Sequence, residues 1–155
     1  MSEKSETTLR SLLSSEPIEL PPDAVDWLLM LWQACQVFDD VADGDTVERV
    51  ELDRTIWNTL VAMPQNPFFA ANARALGTLV SNAILKWQAS DAAERNGLAD
   101  AVSFVWRAGY YDIILACVCL CYGPTRAQGI AYDAMRLYGE RLEDYLKEFE
   151  RCPSR

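Results

Sequence analysis

Residues 101–122 read AVSFVWRAGYYDIILACVCLCY and form the most apolar segment of the chain. Arg107 and Asp112 are the charged residues within it, and Gly123-Pro124 follows as a typical helix end. A segment of this length suits a bilayer, but two central charges and Gly109 favour the alternative, a core helix of a globular protein. The sequence therefore predicts a buried central helix at about 101–122.

The segments on either side of it also carry the pattern of helices. Apolar residues recur at steps of three and four, and we find no period-two alternation bounded by hairpin turns. Pro22 suits the first turn of a helix that Gly44 ends. Within that helix one set of residues follows steps of four and three and predicts a continuous core stripe. The set is Ala24, Leu28, Leu31, Cys35, Phe38 and Ala42.

Further helix starts are predicted from capping patterns. Asp45-Thr46-Val47-Glu48 has the form of a capping box and predicts a helix that runs to about Met63. Asn66-Pro67 predicts the start of the next helix, which reaches Trp87. Asp91-Ala92-Ala93-Glu94 has the form of another capping box, and Thr125 can cap the last helix.

Length and composition favour one packed domain. The chain has 155 residues, half of them hydrophobic, which is enough to bury a core without metal or disulfide staples. We predict an all-α fold, a compact single-domain bundle of five to six helices over residues 22–151. Residues 1–21 are expected to form a polar N-terminal segment with a short helix and a proline linker.

Charge and residue usage exclude several classes of function. The net charge is −9, from 14 Lys and Arg against 23 Asp and Glu, which disfavours binding to nucleic acid or to an anionic membrane. The chain has no histidine, so catalysis that depends on a histidine base is excluded. Five cysteines, three of them in the central segment, are typical of reduced core thiols. We therefore expect a cytoplasmic protein, and the acidic N-terminus is unlike a signal peptide.

An acidic cluster at residues 39–45 is the candidate site. Asp39 and Asp43 are one helical turn apart, about 40° around the axis, at the edge of the core stripe, whereas Asp40 points away from it. Two carboxylates in this arrangement can bridge Mg²⁺, with a diphosphate supplying further oxygens. The alternative, which we favour, is a solvated acidic rim or a surface for protein contact.

Arg107 and Asp112 are predicted to be structural buried charges. They lie about 140° apart on a helix, so each needs a partner elsewhere if it is buried. A salt bridge from Arg107 to Asp39 or Asp43 would give both charges a partner, and it would compete with a cation for the carboxylate.

Asp39-Asp40-Val41-Ala42-Asp43 resembles the Asp-rich motif of class I isoprenoid and terpene synthases, over about residues 36–45. The resemblance implies an all-α fold, Asp39 and Asp43 as Mg²⁺ ligands, and Asp40 in support. Those enzymes are about twice this length and carry a second metal motif. The candidates for this second motif, Asp112 and residues 140–144, match neither of its common forms.

A second set of segments resembles small uncharacterised helical proteins of tailed bacteriophages. The segments that carry this likeness are 67–72, 107–112, 137–140 and 144–148. It implies a phage or prophage origin and, with it, a location in the host cytoplasm. We predict a non-enzymatic protein without a cofactor that acts through contacts with an unknown protein partner or as a homodimer. The alternative is an Mg²⁺-dependent diphosphate-handling enzyme that uses Asp39 and Asp43.

Overall fold

A computed structural model describes residues 3–150, and within them every regular element is helical. The all-α prediction is therefore confirmed. Seven helices have nine or more residues, and shorter helical pieces connect some of them. The elements are α1 (Glu3–Ser14), α2 (Pro22–Asp43), α3 (Arg49–Trp57), a π-helical turn (Asn58–Ala62), α4 (Met63–Gln65), α5 (Pro67–Arg95), α6 (Ala101–Trp106), α7 (Gly109–Tyr122), α8 (Pro124–Arg136) and α9 (Leu142–Glu150).

The described residues divide into two compact units. Unit 1 comprises the chain up to Ala73 together with Leu120–Gly123, and unit 2 comprises Arg74–Cys119 together with the chain from Pro124 onward. Each unit has buried apolar residues of its own, such as Trp27 in unit 1 and Ile114 in unit 2. The two are therefore described separately.

Unit 1 is built around the first half of α2. Leu13 of α1 and Ile18 of the proline linker are buried with it, so the N-terminal segment packs on the helices that follow. The indole of Trp27 stacks on Phe69, with ring centroids 5.5 Å apart. This aromatic pair packs the start of α5 against α2. Asn66, just before α5, adds a hydrogen bond from its Nδ2 to the carbonyl of Asp23 at 2.9 Å.

Helix α2 ends at Gly44 as predicted. Gly44 has φ +81°, and the amides of Gly44 and Asp45 donate to the carbonyls of Val41 and Asp40, which is a Schellman motif. The prediction that Asp45 caps the next helix is wrong. Because its amide is used to end α2, α3 begins only at Arg49, after Glu48 in extended conformation.

The helix α3 continues without a break into the π-helical turn and α4. The amide of Met63 donates to the carbonyl of Asn58, five residues earlier, so this turn is wider than an α-helical one. Such turns are often found at functional sites.

Asn66 caps α5, as predicted, by accepting a hydrogen bond from the amide of Phe69 at 3.0 Å. The capping box predicted at Asp91–Glu94 is wrong, because α5 runs through it to Arg95. Asp91 pairs there with Arg95 at 2.7 Å, four residues along the same helix. Gly97, with φ +68°, ends the helix instead, since the amide of Leu98 donates to the carbonyl of Ala93.

The apolar segment 101–122 forms two helices, α6 and α7, rather than one. Gly109 follows the break and packs closely on α5, where a Cβ atom at this position would lie 3.0 Å from Cβ of Ala83. Ile113, Ile114 and Cys117 are buried, whereas Val102 and Val105 are more than half exposed.

The segment is therefore buried on one side only, which corrects the expectation of a fully buried helix. It has a mean hydropathy of 1.5 and is long enough to cross a membrane, by length and composition only. Soluble core helices pass the same test.

The last two helices complete unit 2. The prediction that Thr125 caps one long final helix is wrong, because α8 already begins at Pro124. A break that contains Gly139 separates it from α9. Tyr145 of α9 is fully buried, and its ring contacts Phe104 at 5.4 Å between centroids.

Candidate functional site

The end of α2 carries an apolar strip that is not covered. The predicted core stripe is buried at Ala24, Leu28 and Leu31, but its continuation at Cys35, Phe38 and Ala42 is exposed. The side chain of Phe38 is 51% exposed. The prediction that these three residues belong to the core is therefore wrong, and they form a surface that we call the α2 strip.

Two acidic residues border the α2 strip. Asp39 and Asp43 lie on one side of it, about 40° and 80° further round the helix than Cys35. The helix geometry therefore places Asp39 beside the strip.

Asp39, Asp40 and Asp43 were also the predicted metal ligands. Among the side chains described for residues 5–149, no group of three or more Cys, Asp or Glu is arranged to hold a metal ion. Asp39 and Asp40 are half-buried and Asp43 is exposed. The magnesium hypothesis stays a prediction.

Arg107 and Asp112 each have a partner within unit 2. Arg107 donates from a terminal guanidinium nitrogen to Oε1 of Glu94 at 3.0 Å, and Asp112 pairs with Lys86 at 2.6 Å. The Arg107 side chain is 25% exposed and that of Asp112 is 43% exposed. Both charges are thus paired at the edge of the core.

Glu94 is the centre of a polar network in unit 2. Its Oε1 accepts hydrogen bonds from the hydroxyls of Ser90 and Tyr145, both at 2.9 Å, as well as from Arg107. Ser103 joins the network through its Oγ, 2.8 Å from the Tyr145 hydroxyl. Three donors on one carboxylate oxygen, from α5, α9 and the turn after α6, indicate a structural clasp.

Unit 1 contains a polar cavity of about 480 Å³. This volume is within the range of small-molecule sites, roughly 300–1,000 Å³. Its walls come from α1, α2, α3, the π-helical turn, α4 and Asn66. The lining residues are Glu6, Arg10, Asp26, Leu29, Met30, Gln33, Arg54, Asn58, Ala62, Gln65 and Asn66.

The amide of Gln33 is the distinctive group of this cavity. Gln33 is only 6% exposed, and its Oε1 accepts a hydrogen bond from Nδ2 of Asn58 at 3.1 Å. Its Nε2 has no hydrogen-bond partner among the described residues. Asn58 is the first residue of the π-helical turn, so the widened turn supplies the group that fixes Gln33.

Sequence reasoning missed this cavity because its groups are far apart in the chain. Gln33 falls on a helix whose apolar pattern dominates, and Arg54 is one of several scattered surface cations. The one available signal was a glutamine among the apolar residues of α2.

Comparisons with protein families, with curated proteins and with solved structures find no match for this chain. The protein is therefore classified by its fold alone, which is all-helical in the described residues.

Proposed function

We propose that this protein is a non-enzymatic binding protein that contacts a cationic partner protein through the α2 strip. The observation that carries the proposal is the exposure of Phe38 at the end of a stripe whose first half is core. A contiguous exposed apolar surface that is bordered by polar residues is typical of a protein-interaction site.

Charge complementarity selects the kind of partner. Asp39 and Asp43 border the strip, and the chain as a whole carries −9. A basic amphipathic helix would place its apolar face on Phe38 and its Lys or Arg side chains on the carboxylates. A second copy of the chain would instead bring two acidic borders together, so we favour a different protein over a homodimer.

A pair of designed peptides tests the proposal. The probe is a fluorescent helical peptide of Lys and Leu, and the control peptide replaces every Lys by Glu. Fluorescence anisotropy should show binding of the Lys peptide alone, with an affinity that falls as salt rises. Phe38→Ser should weaken it about tenfold, in line with the loss of an aromatic anchor.

The control variant is Leu98→Ser, which removes an exposed apolar side chain of unit 2. Equal losses of peptide affinity in Phe38→Ser and Leu98→Ser would contradict the proposal, since the peptide would then bind exposed apolar side chains without preference for the strip. A homodimer in sedimentation velocity that Phe38→Ser dissociates would assign the strip to a second copy instead.

The wider setting of the function belongs to the same proposal. We infer an all-helical cytoplasmic protein, encoded by a phage or prophage and active in the host cytoplasm. The resemblance to helical phage proteins over segments such as 107–112 supports the origin, and the acidic composition supports the location.

A further inference from the structure

The cavity of unit 1 is lined by opposite charges that form no ion pair within the described part of the chain. Arg10 and Asp26 neutralise each other at 2.7 Å. Glu6 and Arg54 also line the cavity, and neither forms an ion pair with any side chain described for residues 5–149. The cavity therefore presents one open carboxylate and one open guanidinium.

The third open group is the buried Nε2 of Gln33. A donor withdrawn from water without a partner costs free energy, and native structures contain few of them. Gln33 lines the cavity, which makes a bound ligand the available source of an acceptor oxygen. A ligand oxygen there would remove the cost.

Apolar side chains complete the lining. Leu29, Met30 and Ala62 contribute hydrocarbon to the same cavity. A purely anionic ligand would bring its charge near the carboxylate of Glu6, and a purely cationic one would bring its charge near Arg54. The composition matches a molecule that carries both charges and an apolar chain.

We propose that this cavity binds the zwitterion of a small apolar amino acid. The carboxylate is held by Arg54 and by Nε2 of Gln33, the ammonium group by Glu6, and the hydrocarbon chain by Leu29 and Met30. Asn58 keeps the amide of Gln33 in place from the π-helical turn. The site is separate from the α2 strip and does not depend on the partner proposed for it.

Matched ligands test each half of the site. The probe is L-norleucine, and the controls are hexanoate, which lacks the amino group, and pentylamine, which lacks the carboxylate. In a ¹H–¹⁵N NMR titration, norleucine should shift the side-chain amide signals of Gln33 and Asn58. Each control should bind at least about tenfold more weakly than norleucine, because it loses one charge-assisted contact.

Variants test the residues. Arg54→Gln and Glu6→Gln should each weaken norleucine binding about tenfold, whereas Arg74→Gln, at an exposed arginine outside the cavity, should leave it unchanged. Gln33→Met should weaken norleucine binding, because it removes the Nε2 donor.

Three results would overturn the proposal. They are the absence of any shift with norleucine up to its solubility limit, binding of hexanoate as tight as that of norleucine, and equal losses in Arg54→Gln and Arg74→Gln.

Discussion

Removing the hydroxyl of Tyr145 should destabilise the protein far more than removing that of Tyr138. Both rings contact Phe104, at 5.4 Å and 5.2 Å, and both hydroxyls bond a glutamate. Tyr145 is fully buried and donates to Glu94, whereas Tyr138 donates to the exposed Glu140 at 2.5 Å. The two Tyr→Phe variants thus differ mainly in the burial of the lost bond.

The magnitude follows from the contacts. Tyr145→Phe keeps the ring contacts but loses the hydrogen bond to Glu94 and the one shared with Ser103. Burial raises the pKa of Tyr145, so its hydroxyl stays protonated and donates to the carboxylate at neutral pH. A bond to a charged group contributes about 1.5–3 kcal/mol and a neutral one about 0.5–1.5 kcal/mol, which gives a loss of roughly 2–4 kcal/mol.

For Tyr138→Phe the solvent replaces the lost bond, and we expect a change within about 0.5 kcal/mol. Urea unfolding followed by circular dichroism measures both variants against wild type. An unchanged m-value would show that the same surface is exposed on unfolding. Equal stabilities of the two variants would refute the assignment of Glu94 as the centre of a buried clasp.

Three further outcomes are expected. Gly109→Ala should destabilise the protein by about 1–3 kcal/mol, because its Cβ would lie 3.0 Å from Cβ of Ala83. Gly77→Ala has no atom within 4 Å of the new Cβ and should stabilise the protein by up to about 1 kcal/mol in the same unfolding assay. In a thermal-melt titration with Mg²⁺ and pyrophosphate, the diphosphate-enzyme alternative requires stabilisation that Asp39→Asn abolishes, and no shift in either protein would contradict that alternative.

Helix ends that depend on neighbouring residues were predicted well from the sequence. Gly44 ends α2 and Asn66 caps α5, because each signal acts within a few residues of itself. The capping patterns at Asp45 and Asp91 failed for the converse reason. A four-residue capping pattern also occurs by chance inside a helix or at its end. The preceding turn decides whether a new helix begins at such a pattern.

Burial and the candidate site could not be predicted in the same way. Periodicity places Leu31, Cys35 and Phe38 on one face of α2, but it does not say whether another element covers the whole length of that face. The partner of Arg107 is Glu94, thirteen residues away in another helix, which no local pattern indicates. The cavity depends on the same kind of long-range contact, from α1 to the π-helical turn.

The distribution of unpaired polar atoms separates the two units. Three buried side-chain atoms in the described part of the chain have no hydrogen-bond partner, namely Nε1 of Trp27, Nε2 of Gln33 and Oγ1 of Thr55. All three lie on α2 and α3 of unit 1. In unit 2 the buried hydroxyls of Ser90, Ser103 and Tyr145 are all bonded. Since unpaired buried groups reduce stability and persist where function requires them, unit 1 is where binding should be sought first.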